Sequence, residues 1–438
     1  MQRRGRPYRW LVSLAALAVL AGACGGGEEA TTGGGGEEGG QTISLLHGIK
    51  GQQEQAALQA AIDAYQDASG NTVEVEFSPQ FETVIVTRVQ GGNPPDVALY
   101  PQPGLLKRTV DQDRATPLED VGVDVAQLED DLVSGMVDTG TFDDTTYGVV
   151  TGLNFKSLLW YPADDFEAEG HEVPETWEDM LALTKTISDT GTPAWCIGIE
   201  SAESTGWVAT DWIEDIMLRL HGPDVYDQWV QHEVTFDSEE VRQAFQELEE
   251  IWLTEGYVLG GTTAILQTPF LDAADPMFED PPGCWLHRQA GFIAAEFPEE
   301  AELGTDYDLA FLPPIDESVG NGALFQGDTV AVHSDSQTAG EFVEFLVSTE
   351  GQEAWFGHEG AGKLSVRSDF DPEVYPSDAL SRQGELFTGA DFARFDASDS
   401  MPGEVGAGAF WTEVVAWISG GQDLDTTLKN IDAAWPGS

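Results

Sequence analysis

An alternation of strand-like and helix-like segments over residues 43–100 constrains the fold more than any other feature of the sequence. Residues 43–48 read ISLLHG, a short apolar strand that runs into a turn, and residues 73–77 read VEVEF, which alternates as a half-buried strand does. The helix predicted between them has one apolar stripe, formed by Leu58, Ala61, Ile62 and Tyr65, and ends at Gly70 and Asn71. A second helix over about residues 80–90 and the strand PPDVALY complete the series. Strand, helix, strand, helix, strand in this order predicts parallel α/β units.

The same pattern returns later in the chain. A cap-like start at Thr176 precedes the helix WEDMLALTKTI, and Asp237 with Glu240 has the spacing of a capping box before an apolar helical stripe. Residues 339–348 and 409–419 also read as helices. A chain of 438 residues is too long for one hydrophobic core. Since no low-complexity linker follows residue 41, we expect two α/β lobes between which the chain crosses more than once.

The N-terminal region has the pattern of an export signal. Four arginines precede an apolar run over residues 11–20, and small residues at 21–23 lead directly to Cys24. This predicts a secretory signal peptide over residues 1–23, because the apolar run is shorter than the roughly 20 residues of a membrane span. The alternative is a buried N-terminal helix. Residues 24–41 begin CGGGEEATTGGGGEEGG and lack large apolar side chains, which predicts a disordered tether.

The charge of the chain limits its partners. With 78 acidic and 19 basic residues the formal net charge is −59, which argues against nucleic acid, anionic lipid and anionic ligands. Acidic residues spread along the whole chain are typical of a solvated, salt-adapted (halophilic) surface. Two cysteines follow Cys24, and in an exported chain Cys196 and Cys284 favour a disulfide. The alternative is two buried free thiols.

Signatures of catalysis and metal binding are missing from the sequence. There is no HExxH, CxxC, GxSxG or phosphate-binding glycine loop. Residues 369–373 begin like a calcium loop, but Val374 and Leu380 stand where that loop requires glycine and glutamate. Neighbouring acids such as Asp143 and Asp144 are expected by chance among so many carboxylates. We therefore expect no catalytic residues, no metal and no cofactor.

Aromatic residues are abundant for so polar a chain. It contains 13 Trp, nine Tyr and 21 Phe. Tyr100, Trp207, Trp285 and Trp411 stand beside glycine or proline turns. Flat aromatic rings with nearby polar groups suit a sugar, which has an apolar C–H face and a rim of hydroxyls. The alternative for each ring is packing in a core.

Several stretches resemble the extracellular solute-binding proteins of bacterial sugar importers of the ABC type, in the branch that binds maltose-like and other α-glucosides. These stretches are SLLHGIKGQQE, GGNPPDVALYPQPGLL, YGVVTGLNFKSLLWYPADDF and, most specifically, RFDASDSMPGEVGAGAFW. The resemblance implies a type II periplasmic-binding-protein-like α/β fold with a ligand cleft between two lobes joined by crossover strands. Lobe 1 would comprise residues 42–152 plus 316–368, and lobe 2 residues 153–315 plus 369–438.

The resemblance also implies the site residues. The ligand would be contacted by His47, Lys50, Tyr100, Gln102, Asn154, Trp207, Trp285, Asp328, Arg367 and Trp411. Asn154 departs from the family, which often has an acid there, and leaves the sugar open. Asp328 and Arg367 have a structural salt bridge as their alternative. Small residues before Cys24 resemble a lipobox, with Ala21 where leucine is usual, which implies lipid attachment at Cys24.

The expected function is that of a receptor and not of an enzyme. It would act as a lipid-anchored monomer at the extracellular face of the cell membrane. A di- or trisaccharide α-glucoside such as maltose, trehalose or sucrose would bind between the lobes, and the closed receptor would deliver it to an ABC permease. The alternatives are a binding protein for another polar solute, such as a polyamine or a peptide, and a secreted glycoside hydrolase.

Overall fold

The computed structural model of the protein describes residues 40–49 and 51–436, except for the side chain of Glu203. The predicted signal peptide, most of the predicted tether, Cys24 and Lys50 lie outside these ranges. The strands are β1 Thr42–His47, β2 Thr72–Phe77, β3 Val97–Tyr100, β4 Thr141–Phe142, β5 Thr145–Thr146, β6 Gly148–Phe155, β7 Leu158–Tyr161, β8 His287–Arg288, β9 Asp308–Phe311, β10 Gly322–Val332 and β11 Phe392–Phe395. The tether was predicted to extend to residue 41, but Gln41 is already ordered, since its backbone N–H donates to the side chain of Asn71 at 2.8 Å.

The helices complete the element order. They are α1 Gln52–Ser69, α2 Phe81–Gln90, α3 Pro103–Val110, α4 Val125–Asp131, α5 Ala163–Ala168, α6 Trp177–Ser188, α7 Trp207–Val230, α8 Glu239–Trp252, α9 Gly261–Gln267, α10 Gln337–Val347, α11 Thr349–Phe356, α12 Asp378–Thr388, α13 Ala397–Ser400, α14 Trp411–Ile418 and α15 Leu424–Asp432. A π-helical segment, Glu404–Phe410, leads into α14. Helix α7 is broken at Gly222, where φ is 77°. Of the helices described, none is both long and apolar enough to cross a membrane.

The first sheet confirms the parallel α/β prediction for the N-terminal part. Its order is β11-β10-β3-β1-β2, and β6 also pairs with β10. Strand β1 pairs in parallel with β2 and β3, whereas β10 runs antiparallel to β3 and β6. Helix α1 buries the predicted stripe and ends at Gly70, whose φ of 74° is left-handed and suits a residue without Cβ.

The second sheet belongs to the other half of the molecule. Strand β7 pairs antiparallel with β8 on one side and β9 on the other. Helices α6, α7, α8 and α14 contribute to the hydrophobic core beside it. The apolar stripe predicted for α8 is buried, but Ser238 and not Asp237 caps the helix: its hydroxyl accepts from the backbone N–H of Val241.

The chain crosses between the two halves three times, which confirms the two-lobe prediction. The crossings are Lys156–Ser157 between β6 and β7, residues 312–321 between β9 and β10, and Asp396 between β11 and α13. Strand β11 lies in the span predicted for lobe 2, but it pairs with the first four residues of β10 in the first sheet. These residues of β10 extend beyond β3 and leave an edge that β11 fills.

Cys196 and Cys284 form a disulfide in the second half. The segments that carry them are also hydrogen-bonded, because the backbone N–H of Cys196 donates to the carbonyl oxygen of Leu286 at 2.8 Å. The disulfide is buried, with Cys284 fully inaccessible and Cys196 1% exposed. It therefore holds together two loops that lie beside β8.

Candidate functional site

The candidate site lies at the edge of the first sheet where the parallel strands β1, β2 and β3 end. Ligands of α/β sheets bind at this carboxyl edge. Strand β10 passes it at Gln326 and Asp328, opposite Asn154 and Gly152 of β6. The side chain of Gln326 accepts from Nδ2 of Asn154 at 3.3 Å and donates from Nε2 to the carbonyl oxygen of Pro101 at 3.3 Å. This edge thus presents amide groups, which can both donate and accept hydrogen bonds.

A wall of partly exposed aromatic rings comes from the second half of the molecule. The ring centroids of Trp207 and Phe270 lie 5.0 Å apart, and Phe292 lies 6.2 Å from Trp207. Gly206 has a φ of 126°, and a Cβ there would stand 2.5 Å from the carbonyl oxygen of Trp411. Only glycine permits this approach, which places the backbone of Trp411 against the residue that precedes Trp207. All four rings keep accessible surface.

Lys156 connects this wall to the crossover between the sheets. Its Nζ lies 5.6 Å from the centroid of the Trp207 ring, and it donates to Asp211 at 2.8 Å and to Asp396 at 2.5 Å. Burial by itself would lower the pKa of Lys156, but the two carboxylates more than offset this and raise it. Lys156 is therefore always positively charged, and its ammonium holds the ring of Trp207 beside the crossover between β6 and β7.

The network around Lys156 contains more acids than bases. Its carboxyls are Asp211, Glu214, Asp215, Asp396 and Asp399, and its cations are Lys156, Arg219 and Arg288. Burial, followed by repulsion from Asp396, raises the pKa of Asp399 to about 7. Asp399 also hydrogen-bonds the side chain of Gln102, which follows β3. The network thus touches the edge of the first sheet and joins the two sides of the cleft.

The opposite side of the cleft contains His47, Asp328 and Lys363. Lys363 and Asp328 form an ion pair with little exposure. Burial lowers the pKa of His47, while the charges of Asp328 and Lys363 act on it in opposite directions. His47 is therefore neutral at pH 7, and Nδ1 accepts from the backbone N–H of Ile49 at 3.3 Å. On this side of the cleft, Asp328 and Lys363 thus neutralise each other.

Comparison with known proteins identifies the family. Residues 50–353 match the model of the bacterial extracellular solute-binding proteins. The chain belongs to this family. It is 38% identical over 393 residues to the osmoprotective compounds-binding protein GgtB of Synechocystis, covering 89% of this chain and 91% of that protein. It is 37% identical over 407 residues to the α-glucosides-binding periplasmic protein AglE of Rhizobium meliloti, covering 90% of this chain and 87% of that protein.

Solved structures of solute-binding proteins share the fold. The bacterial solute receptor AcbH superposes with a TM-score of 0.78 at 17% identity, covering 90% of this chain and 97% of that one. A family 1 extracellular solute-binding protein from Bifidobacterium longum subsp. infantis gives a TM-score of 0.71 at 18% identity, covering 91% and 99%. The protein is thus a solute-binding receptor of the kind used by ABC-type sugar importers, and its family binds solutes without transforming them.

Several residues predicted from the sequence lie at the candidate cleft. The structure places His47, Gln102, Asn154 and Asp328 along the edge of the first sheet, and Trp207 and Trp411 in the facing wall. Lys50, between two of the described segments, lies outside the residues that the structure describes.

Tyr100 does not join this group and we correct its assignment. Its side chain is fully buried in a small core beneath the sheet, where Phe81 meets its ring edge-on at 5.4 Å. Its hydroxyl hydrogen-bonds Nε2 of His333 at 3.0 Å. Side chains alternate across a strand, and the one at position 100 points into the lobe and away from the cleft.

Trp285 also lies elsewhere and is corrected. It is 8% exposed and packs in the core of the second half, 5.2 Å from His171 and 6.4 Å from Phe166. Those two neighbours line a separate cavity of about 480 Å³ near the end of β7. The aromatic residue of this region that lies near Trp207 is Phe292, after Gly291, and not Trp285.

Arg367 serves as a structural ion-pair partner, the alternative left open by the sequence. Its guanidinium donates to Asp369 at 2.7 Å and lies 3.5 Å from Asp131. A further bond to the carbonyl oxygen of Val347 ties it to α10. Its donors are occupied by Asp369, Asp131 and the carbonyl oxygen of Val347, and we remove it from the candidate site.

Four cleft residues escaped the sequence analysis: Lys156, Phe270, Phe292 and Gln326. Gln326 lies in a mostly apolar strand, where a single polar residue is not enough to predict a binding site. Lys156 stands in a sequence with only six lysines, and its position at the first crossover was the available signal. The segments around Phe270 and Phe292 are less distinctive than the glycine-rich segment that precedes Trp411.

A metal site does not follow from the buried acids. Asp211, Glu214 and Asp396 offer carboxylate oxygens within 4.8 Å of one another. However, the ammonium of Lys156 already bonds two of these three carboxylates. It supplies the positive charge that a metal ion would bring.

Proposed function

We propose that this receptor captures a neutral α-glucoside, a di- or trisaccharide such as maltose, trehalose or sucrose, and delivers it to an ABC permease. The observation that carries the proposal is the aromatic group around Trp207, whose ring lies 5.6 Å from Nζ of Lys156, two residues after the amide of Asn154 that bonds Gln326. Aromatic faces stack on the C–H faces of sugar rings, and amides exchange hydrogen bonds with hydroxyls in either direction.

The electrostatics of the cleft support an uncharged ligand. Lys156 and Lys363 are each held by carboxylates, so neither offers a free charge to an anion. Asp328 is neutralised by Lys363, and His47 is uncharged at pH 7. A polyamine would need unpaired carboxylates in contact with it, and Asp211, Asp396 and Asp328 are each paired with a lysine.

The named relatives support a glycosidic ligand. One is described as binding α-glucosides and the other as binding osmoprotective compounds. A compact glucoside fits both descriptions. Asn154 is an amide where the resemblance to maltose-binding proteins implies an acid, and this departure leaves the sugar open within this class.

Binding would act through closure of the two lobes. A ligand that contacts the sheet edge and the aromatic wall at once stabilises the closed form more than the open form and shifts the equilibrium. The lobes would comprise residues 42–152 plus 316–368 and residues 153–315 plus 369–438, with β11 exchanged into the first sheet. We further propose a monomer tethered through lipid on Cys24, which mass spectrometry of native protein would test.

A ligand panel tests the proposal. Titration calorimetry and thermal unfolding with maltose, trehalose and sucrose are expected to show binding by at least one, with a midpoint rise of several degrees at saturating sugar. Spermidine and a tripeptide serve as the rival ligands, and p-nitrophenyl α-glucoside tests for turnover. Binding of spermidine alone, or steady release of nitrophenol, would overturn the proposal.

Loss of an aromatic face should weaken binding without unfolding the protein. Trp207→Ala and Trp411→Ala are each expected to raise the Kd for the bound sugar about 30-fold or more, as for a stacking residue worth about 2 kcal/mol. Trp435→Ala is the matched control, because that partly exposed ring stacks on His232 at 4.3 Å, outside the cleft. Equal affinities in all three variants would remove the aromatic wall from the site.

A further inference from the structure

An exposed aromatic ring stands at the end of the edge strand β2. Phe77, the last residue of β2, is 43% exposed. Within residues 40–49 and 51–436 the exposed large apolar side chains are Val75, Phe77 and Val173. Of these three side chains only Phe77 is aromatic, and an exposed aromatic face suits the C–H face of a sugar ring.

The ring of Phe77 is directed to the carboxyl edge that forms the cleft. Phe77 is in register with His47, the last residue of β1, and their ring centroids lie 5.6 Å apart at an angle of 37°. The charges of Asp328 and Lys363 in turn act on the pKa of His47. Phe77 is therefore continuous with the sheet side of the cleft, at the end farthest from β6.

The strand order gives the distance between the two ends of the cleft. From β2 to β10 there are three strand spacings, through β1 and β3, which amount to about 14 Å at about 4.8 Å each. The amides of Asn154 and Gln326 and the wall of Trp207 lie at the β10 end, and Phe77 lies at the other. A monosaccharide at the wall cannot reach Phe77, whereas a chain of sugar rings extending along the edge can.

We propose that Phe77, backed by His47, is the platform of an outer subsite that stacks on the terminal ring of a trisaccharide and so sets the preferred ligand length. This inference rests on the proposed function and adds the size of the ligand to it. The neutral imidazole of His47 supports the ring from behind without adding a charge. Stacking of one ring on an exposed phenylalanine is expected to contribute a three- to tenfold gain in affinity, corresponding to about 0.7–1.4 kcal/mol.

The test compares sugars that differ by one ring. Calorimetric Kd values are measured for maltose with maltotriose and for sucrose with raffinose, using wild type, Phe77→Ala, Phe77→Trp and Val75→Ala. Val75 is the matched control, since it lies on the same face of β2 two residues earlier and is 39% exposed. We expect the wild type to bind the trisaccharide of at least one pair about three- to tenfold more tightly than its disaccharide.

The variants then separate the outcomes. Phe77→Ala should abolish this preference by weakening the trisaccharide alone, while Phe77→Trp and Val75→Ala retain it. Equal affinities within each pair for the wild type, or a Phe77→Ala effect that is absent or the same for both sugars, would overturn the outer subsite and leave the proposed function intact. Failure of the wild type to bind any of the four sugars, with binding of spermidine instead, would overturn both.

Discussion

Replacing Lys156 by methionine is expected to lower the free energy of unfolding by about 3–5 kcal/mol. Lys156 is 6% exposed and donates to Asp211 and Asp396, which are themselves buried. Methionine fills a similar volume but leaves Asp396 without its lysine partner and Asp211 with only Arg288, at 3.7 Å. The cost is the desolvation of charges that have lost their partner, and urea denaturation of the two proteins at pH 7 measures it.

Two further variants distinguish this effect from a general effect of losing lysine. Lys185→Met removes a solvent-exposed pair with Asp189 in α6 and is expected to cost no more than about 0.5 kcal/mol. Adding Asp396→Asn to Lys156→Met should recover part of the lost stability, because it removes one of the unpaired charges. A Lys156→Met protein as stable as wild type would show that the network does not depend on its ammonium.

The same network makes Lys156 matter for binding. Its ammonium lies against the ring of Trp207, and its carboxylate partners come from α7 and from the crossover that follows β11. Lys156 itself stands in the crossover that follows β6. Trp207 is therefore held by segments that lead from one sheet to the other, and under the proposed lobe closure a ligand stacked on Trp207 would act on these segments through Lys156.

Local patterns in the sequence were enough for the architecture. The stripe on α1, the turn at Gly70 and the strands at residues 43–48 and 73–77 each depend on neighbours a few positions away, and all were correctly predicted. Pairing between distant strands was less accessible. Strand β11 joins the first sheet because β10 overhangs β3, and that overhang depends on the lengths of two strands far apart in the chain.

The cleft could be predicted only where a residue's context was distinctive. Trp207 and Trp411 stand beside glycines that bring their backbones together, and those glycines are visible in the sequence. Tyr100 and Trp285 stand beside similar turns, yet their side chains point into cores. A change of one residue in the register of a strand or loop decides which side chains face the cleft. The sequence alone does not determine that register.

The stability of the protein should also depend on pH through Asp399. The pKa of Asp399 is raised from its ordinary value of 3.8 to about 7, chiefly by burial and then by repulsion from Asp396. A carboxyl with a raised folded pKa keeps its proton in the folded chain after the unfolded chain has lost it. The free energy of unfolding therefore falls as pH rises between about 4 and about 7, by up to about 1.4 kcal/mol for each pH unit.

Asp399→Asn isolates this dependence, because asparagine is the uncharged isostere and can still hydrogen-bond Gln102. Other groups act in the opposite direction, such as His287, whose pKa burial lowers to about 4, so the informative quantity is the difference between variant and wild type. We expect the advantage of Asp399→Asn to grow steadily from pH 5 to pH 7 in urea denaturation, whereas Asp67→Asn on the exposed face of α1 changes nothing. Parallel pH profiles for Asp399→Asn and wild type would mean that Asp399 is ionised throughout. A proton on another member of the network would then have to neutralise the excess negative charge around Lys156. The first candidate is Glu214, whose pKa is raised by burial and by Asp396.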